Sequence, residues 1–485
     1  TAQTGEVQVN EAGEGSLSLP DGSTSVAQGD VANITVEFDE TSTGTVVVGD
    51  FADDNYQANI SVEDGNDDGV VNLEFNTFTA GDNGFSVSAV ADDDEASVEG
   101  LQGTPLTDLL DTGDYDITVS AENLPSDGDA GTAIDESSDI GSLIIEERNT
   151  GDMQLWRTTD DVRDDVVDVQ DEDGDAAAVD AITSGAEDGV VTQTDTIALG
   201  DTSDVLVHQI STTGLEGVLA NQGASSNAGA LYDVLDQGAT GTNTGSINAA
   251  SLTFTEENPG SNAEANVIDA TDLDRDEFTS AVDVVVDDAN GDYYVFLDVD
   301  ALNTVLDDEY SGVDSFADGD EYTADFTVQD PLLTSAAQDD STDDVEAAFE
   351  SANATFDVVA AEGSFDLDPV EVGNAENQSI EGEINVAPGT ELALRVQSDE
   401  AATNFIKNAE GVTVQPDGTF SGTFDFSEES VNDTFTVSTR QSPLATELST
   451  DGVVVDAVSE PANFEVSELN PQDVTATVGD ALTIT

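Results

Sequence analysis

The chain has 485 residues and carries 107 Asp and Glu against 7 Lys and Arg, a formal charge of -100 at pH 7, with one His and no Cys. It has no basic patch to displace counterions from nucleic acid or to hold an anionic membrane, and it lacks the Cys and second His that disulfides or a zinc site need. Self-repulsion on this scale is tolerable in molar salt, where the screening length shrinks from ~10 Å at 0.1 M to ~3 Å at 1 M, so cations are the small partners that composition favours.

High net charge also accompanies disorder, but here the apolar residues fall in short alternating runs, the pattern of half-buried strands. Within residues 1–148, Ile34, Val36 and Phe38 alternate with Asn33, Thr35 and Glu37, and Tyr115, Ile117 and Val119 alternate with Asp116 and Thr118. Pro20-Asp21-Gly22 and Asp64-Gly65-Asn66-Asp67-Asp68-Gly69 are turns between strands, and Leu143-Ile144-Ile145 closes this first β-domain.

Residues 149–360 are less regular and predict a larger β-rich domain with a loop insertion. Strands are expected at 196–199, 205–210, 282–286 and 293–297, the last two as a hairpin around Asn290-Gly291. Single helical turns are expected at 214–219 and 301–306. The stretch 160–180 is dense in Asp, and 222–251, rich in Gly, Ala, Ser, Thr and Asn, predicts a long surface excursion. Residues 361–465 predict a compact β-sandwich, with Leu392, Leu394 and Val396 on one face of a strand and Phe420, Phe424 and Phe426 sharing one parity after the Pro416-Asp417-Gly418 turn.

Residues 466–485 predict the start of a further β-domain, with Val474, Ala476 and Val478 alternating before Gly479-Asp480. Two strands do not stand alone, so this end is expected to continue in a longer protein or to complete a neighbouring module. The start at Thr1-Ala2-Gln3 reads as that of a mature or excised chain without a signal peptide. No run approaches the ~18 consecutive apolar residues of a membrane span. The expected fold class is all-β: sandwich domains in tandem, joined end to end, with no short-period repeat.

Several stretches carry a resemblance. Asn377-Gln378-Ser379-Ile380-Glu381-Gly382, Ala387-Pro388-Gly389-Thr390-Glu391-Leu392, the run from Asp417 to Phe426, and Asp433-Thr434-Phe435-Thr436-Val437 resemble a domain recurrent in haloarchaeal surface glycoproteins. Residues 153–220, with Leu155-Trp156-Arg157-Thr158 and Gly214-Leu215-Glu216-Gly217, are similar to the domain that often precedes it. Residues 25–147, through Gly29-Asp30-Val31-Ala32-Asn33-Ile34-Thr35-Val36 and Asn55-Tyr56-Gln57-Ala58-Asn59-Ile60, resemble the immunoglobulin-like domains of S-layer glycoproteins. The resemblance implies an extracellular, glycosylated cell-surface protein of an extreme halophile that assembles with copies of itself in a surface layer. A C-terminal membrane anchor and a Thr-rich stalk, which such proteins carry, are missing from this sequence. An extracellular filament subunit or adhesin built from the same domains is the alternative.

Five N-glycosylation sequons begin at Asn33, Asn59, Asn353, Asn377 and Asn432. Strand parity places Asn33, Asn59 and Asn353 opposite their buried neighbours, so they are expected to face solvent. Two acidic loops have calcium-like spacing. Asp64, Asn66 and Asp68 match the opening of an EF-hand loop, although its twelfth position is Phe75 where a bidentate Glu is required. Asp272, Asp274 and Asp276 stack carboxylates at alternate positions. The bland reading of both is a solvated acidic turn. His208, alone in an apolar strand, reads as structural, and Trp156 as a core or interdomain plug. With no nucleophile elbow, phosphate loop or dinucleotide fingerprint, and few aromatics to stack sugars, no enzyme is expected.

Overall fold

Alternation becomes sheet wherever one face can be sealed against another, and in this chain that happens three times in succession. In a computed structural model, the structure describes residues 15–83, 85–240, 247–309, 313–335, 341–399, 404–440 and 442–456. The further domain expected at 466–485 lies outside the described residues. The described strands form six sheets, which face one another in pairs.

In the first domain a four-stranded sheet, ordered Ser16–Ser18, Val31–Asp39, Val70–Asn76, Ser88–Ala89, faces a six-stranded one. The second runs Ser23–Ala27, Asp139–Glu146, Gly113–Ser120, Thr43–Val48, Gln57–Glu63, Glu95–Gln102. Between them lie Ile34, Val36, Ile60, Leu73, Phe75, Ile117, Val119 and Leu143, so the alternating residues point inward as expected. The Tyr115 hydroxyl donates to the Asp111 carbonyl at 3.0 Å, tying the strand back to its own approach in the manner of the tyrosine corner of immunoglobulin-like domains.

The second domain is a sandwich with helices added. Its inner sheet runs Thr192–Gln193, Thr150–Thr158, Val205–Thr212, Asp292–Asp298, Val282–Asp287. Val205 to Ile210 is almost continuously buried because this sheet is covered on both faces. Leu206 and Ile210 meet the opposing sheet, while Val205 and Val207 meet Val166, Ala178 and Ile182 from two helices, Asp160–Asp173 and Asp175–Asp188. Trp156 lies beneath these helices and donates from Nε1 to Gln209 at 2.9 Å.

The Asp-dense stretch is therefore helical, despite the poor helix propensity of Asp. Val162, Val166 and Val169 give it a 3.6-residue stripe, and Thr159 accepts from the Val162 amide as N-cap. The surface excursion expected over 222–251 is also corrected. Asn227–Asp236 is a helix that buries Ala228, Leu231, Tyr232 and Leu235 in the main core. Its small residues let it lie close to the sheet, and loop-like composition concealed its periodicity. The expected turns at 214–219 and 301–306 belong to helices Glu216–Asn221 and Val299–Glu309. The hairpin at 282–298 pairs as expected, with Asp287 opposite Asp292 and Gly291 in the left-handed region.

In the third domain, Gly363–Phe365, Gln378–Ile384 and Thr419–Phe424 face a sheet ordered Val370–Gly373, Ser449–Val455, Thr434–Arg440, Glu391–Ser398, Ile406–Thr413. Phe420, Phe424 and Phe426 are all buried, with Phe426 and Phe435 ring centroids 5.4 Å apart. One signature recurs in all three domains. A strand from the early part of each domain pairs in parallel with that domain's last strand, and the other described pairings are antiparallel.

Candidate functional site

The three sandwiches meet at two joints, and each joint turns on a carboxylate set into backbone N–H groups. At the first, Asp30 accepts from the amides of Gly214 and Glu216 at 2.8 and 3.0 Å, and Glu216 accepts in return from the Val31 amide at 3.0 Å. The Gly217 amide donates to the Gly29 carbonyl at 3.0 Å, and Asn76 Nδ2 to the Gly217 carbonyl at 2.8 Å. Glycine is required here: a Cβ on Gly29, where φ is +101°, would lie 2.4 Å from the Gly214 carbonyl oxygen. Leu109 of the first domain enters the core of the second, and Phe78 packs against it.

Arg148, in the connection between the two domains, completes this joint. It donates to the Thr213 and Leu333 carbonyls, to Thr150 and Thr212, and to Glu350 at 2.7 Å. At the second joint Asp204, 3% exposed, accepts from the Ala198 amide and from the Ala387 amide of the third domain, at 3.0 and 2.7 Å. Arg157 pairs with Asp204 at 3.2 Å and donates to the Asn385 carbonyl at 2.8 Å. Burial raises the Asp204 carboxyl above its usual range, and Arg157 and the amides oppose that shift.

These joints draw on a scarce resource. Among the described residues, six of the seven basic side chains are in ion pairs, at Glu350, Asp204, Asp283, Asp233, Glu429 and Glu447. Arg163 also holds its helix to the sheet through Asp283 at 2.7 Å and Asp298 at 3.2 Å. Lys407, the only lysine, lies over the Phe405 and Phe426 rings at 5.3 and 5.4 Å and reaches Glu429 at 2.8 Å. The cations are thus placed at tertiary contacts, which sequence reasoning did not identify.

Asn33, Asn353, Asn377 and Asn432 are exposed. Asn33 and Asn353 lie in strands, opposite Glu74 and Asp325, whereas Asn377 and Asn432 occupy left-handed positions with φ of 58° and 74°. Asn59 corrects the expectation from parity, being 2% exposed. It points away from the core as alternation requires, but the loop at Gly128 crosses it. Asn59 donates to the Gly128 carbonyl at 2.8 Å and accepts from Gln57 at 2.7 Å. Peptide mapping of native material is expected to find N-glycans among the four exposed sequons and Asn59 unmodified. A glycan on Asn59 would contradict this packing.

The acidic loops are engaged with their own backbone. Asp64 is buried and accepts from the amides of Asp68 and Gly69, Asn66 accepts from Asp68, and Asp68 accepts from Val70. Together they close the turn between two strands. The second stretch is not a loop of stacked carboxylates. Asp272 ends a 3₁₀ turn, Asp274 is the N-cap of helix Arg275–Ala281 in a capping box with Glu277, and Asp276 lies in its first turn. Among the described residues, no three acidic or imidazole groups are gathered as a metal ion would require.

His208 is fully buried, with the rings of Phe254 and Phe356 at 5.5 and 6.4 Å, and neither ring nitrogen has a partner among the described residues. Burial lowers its pKa from 6.5 to about 4. Unfolding lets it take up a proton between those values, so its contribution is complete above the unfolded pKa and lost as pH falls through that window. The full linkage is ~3 kcal/mol. The His208→Leu variant is expected to resist acid better. Denaturant midpoints in molar salt, from about pH 7 to about pH 4, should fall less in the variant than in the parent. Equal falls would show that this residue does not govern acid sensitivity.

A domain of unknown function, DUF7827, matches residues 9–122. The chain is 36% identical to a cell surface glycoprotein of Haloferax gibbonsii, over 89% of this chain and 43% of that protein. It is 31% identical to cell surface glycoprotein 2 of Haloarcula hispanica, over 98% of this chain and 49% of that protein. The chain thus spans about half the length of the curated relatives it matches. Three consecutive titin domains match 88% of the chain at 8% identity and a TM-score of 0.21, so the fold assignment rests on the sheets described above. Over most of its length, then, the chain is homologous to about half of each of several proteins named as haloarchaeal cell surface glycoproteins.

Proposed function

We propose that this chain is a structural, extracellular segment of a surface glycoprotein of an extreme halophile, acting as a stiff spacer in a surface layer. The observation that carries the reading is the pair of joints, which fasten three sandwiches in sequence through buried Asp–amide contacts backed by Arg148 and Arg157. Homology to proteins named for the cell surface supports the location. In this reading copies of the chain associate side by side, and cations, calcium among them, bridge acidic faces that would otherwise repel. N-linked glycans on the exposed sequons face away from those contacts. No catalytic role is assigned, and the single imidazole is sealed inside a core.

Electron microscopy of the purified protein in brine, beside native envelopes of its source, tests the assembly. Two-dimensional arrays support the reading. End-to-end filaments would replace it with a filament subunit, and separate particles at every concentration would reject self-assembly of this segment.

A further inference from the structure

The first joint brings several acids to an interface. Glu216, half-buried, has one oxygen engaged by the Val31 amide. Beside it opens a cleft of about 210 Å³, bounded by Asp175, Ser226, Asn227 and Asp288. The titratable groups that face Glu216 come from several elements. They are Asp30 before strand Val31–Asp39, Glu74 on strand Val70–Asn76, Asp288 after strand Val282–Asp287, and buried Tyr293 on strand Asp292–Asp298. Asp175, from helix Asp175–Asp188, and Asp287 act on Asp288. Arg148 is the base that faces Asp30, and its guanidinium is held by Glu350 and two carbonyls.

Burial, and after it Asp288, push the Glu216 carboxyl up to about 8, with Asp30 and Glu74 adding to the rise and the Val31 amide opposing it. Asp288, at the rim of the cleft, is itself pushed up to about 6, by burial first and Asp175 next, so it ionises below Glu216 and is charged over the upper part of the window. Desolvation is the first cause, so molar salt, which screens charge–charge repulsion, leaves most of the shift in place.

We propose that this joint is a proton-controlled hinge: the first domain is clamped to the second while Glu216 carries a proton, and is loosened when Glu216 ionises. Undocked, Glu216 meets solvent and ionises near its ordinary 4.5, whereas docked it keeps the proton to about 8. The clamp contributed by that proton is therefore complete below the undocked pKa and is lost as pH rises through the docked one. The response is opposite in sign to that of His208, which weakens the second domain in acid. The proposal does not depend on lattice or filament assembly.

Hydrogen exchange of the whole chain in molar potassium chloride tests it. The amides of Val31, Gly214, Glu216 and Gly217 each donate across the joint. Their protection, corrected for intrinsic rate, is expected to fall at least about tenfold between about pH 5 and about pH 8. Val119 and Val207, inside the sandwiches, should keep theirs and so report that both domains stay folded. In Glu216→Gln, which is neutral throughout, the joint amides should retain most of their low-pH protection. Asp288→Asn removes the largest charged contribution to the rise and should move the wild-type fall to lower pH. Joint protection that does not fall, or that falls by the same factor in Glu216→Gln, or a window that Asp288→Asn leaves in place, would overturn the hinge.

Discussion

Transfer from molar salt to dilute buffer is expected to unfold all three domains. The formal charge is -100, with 107 acids against 7 bases, six of which are already paired among the described residues, so the great majority of the carboxylates have no basic partner to neutralise them. Two unit charges 4 Å apart cost ~1 kcal/mol in water and ~4 kcal/mol at an effective dielectric of 20. Domain stabilities are only ~5–15 kcal/mol, so a few close pairs released from screening suffice to cancel one domain. Loss should set in as the screening length grows from ~3 Å at 1 M toward ~10 Å at 0.1 M. Circular dichroism across a salt titration measures this directly. An unchanged β-spectrum in dilute buffer with chelator would refute the electrostatic account of this composition.

The second large effect is expected from Arg148→Ala. The side chain is 5% exposed, and removing it strips donors from two carbonyls, two hydroxyls and Glu350. Breaking a buried pair by deleting one partner costs ~3–5 kcal/mol. Glu350 is 33% exposed and can rehydrate, which places the loss at the low end, ~3 kcal/mol. The first two domains should separate, with proteolysis entering at residues 147–149 while each sandwich stays resistant. Arg148→Lys should restore little, because one ammonium cannot reproduce the fan of donors. A denaturation midpoint that does not change in Arg148→Ala would mean the joint holds without its base.

The Asn59 and Asn33 sequons show how far parity alone carries. Both asparagines point away from the core, yet one is exposed and the other is roofed by a loop about seventy residues further along the chain. The helices of the second domain make the same point differently. The Val162, Val166, Val169 stripe is present in the sequence, but the density of Asp around it obscures the signal. The small residues of Asn227–Asp236 read as loop until a sheet is there to pack them against.

Sequence by itself determined the net charge from which a requirement for salt is expected, the all-β class and the inward faces of the main strands, including the shared parity of Phe420, Phe424 and Phe426. Each follows from net charge or from side chains two residues apart, and both are local or additive quantities. Tertiary structure alone decided the joints, the isolation of His208, the burial of Asn59 and the raised Glu216 carboxyl. Asp30 and Gly214 are 184 positions apart, and Asp204 and Ala387 are 183 apart. Nothing periodic links such positions. Whether a carboxylate is solvated or set into another domain's amides depends on which surfaces meet, and that is settled only when the sandwiches dock.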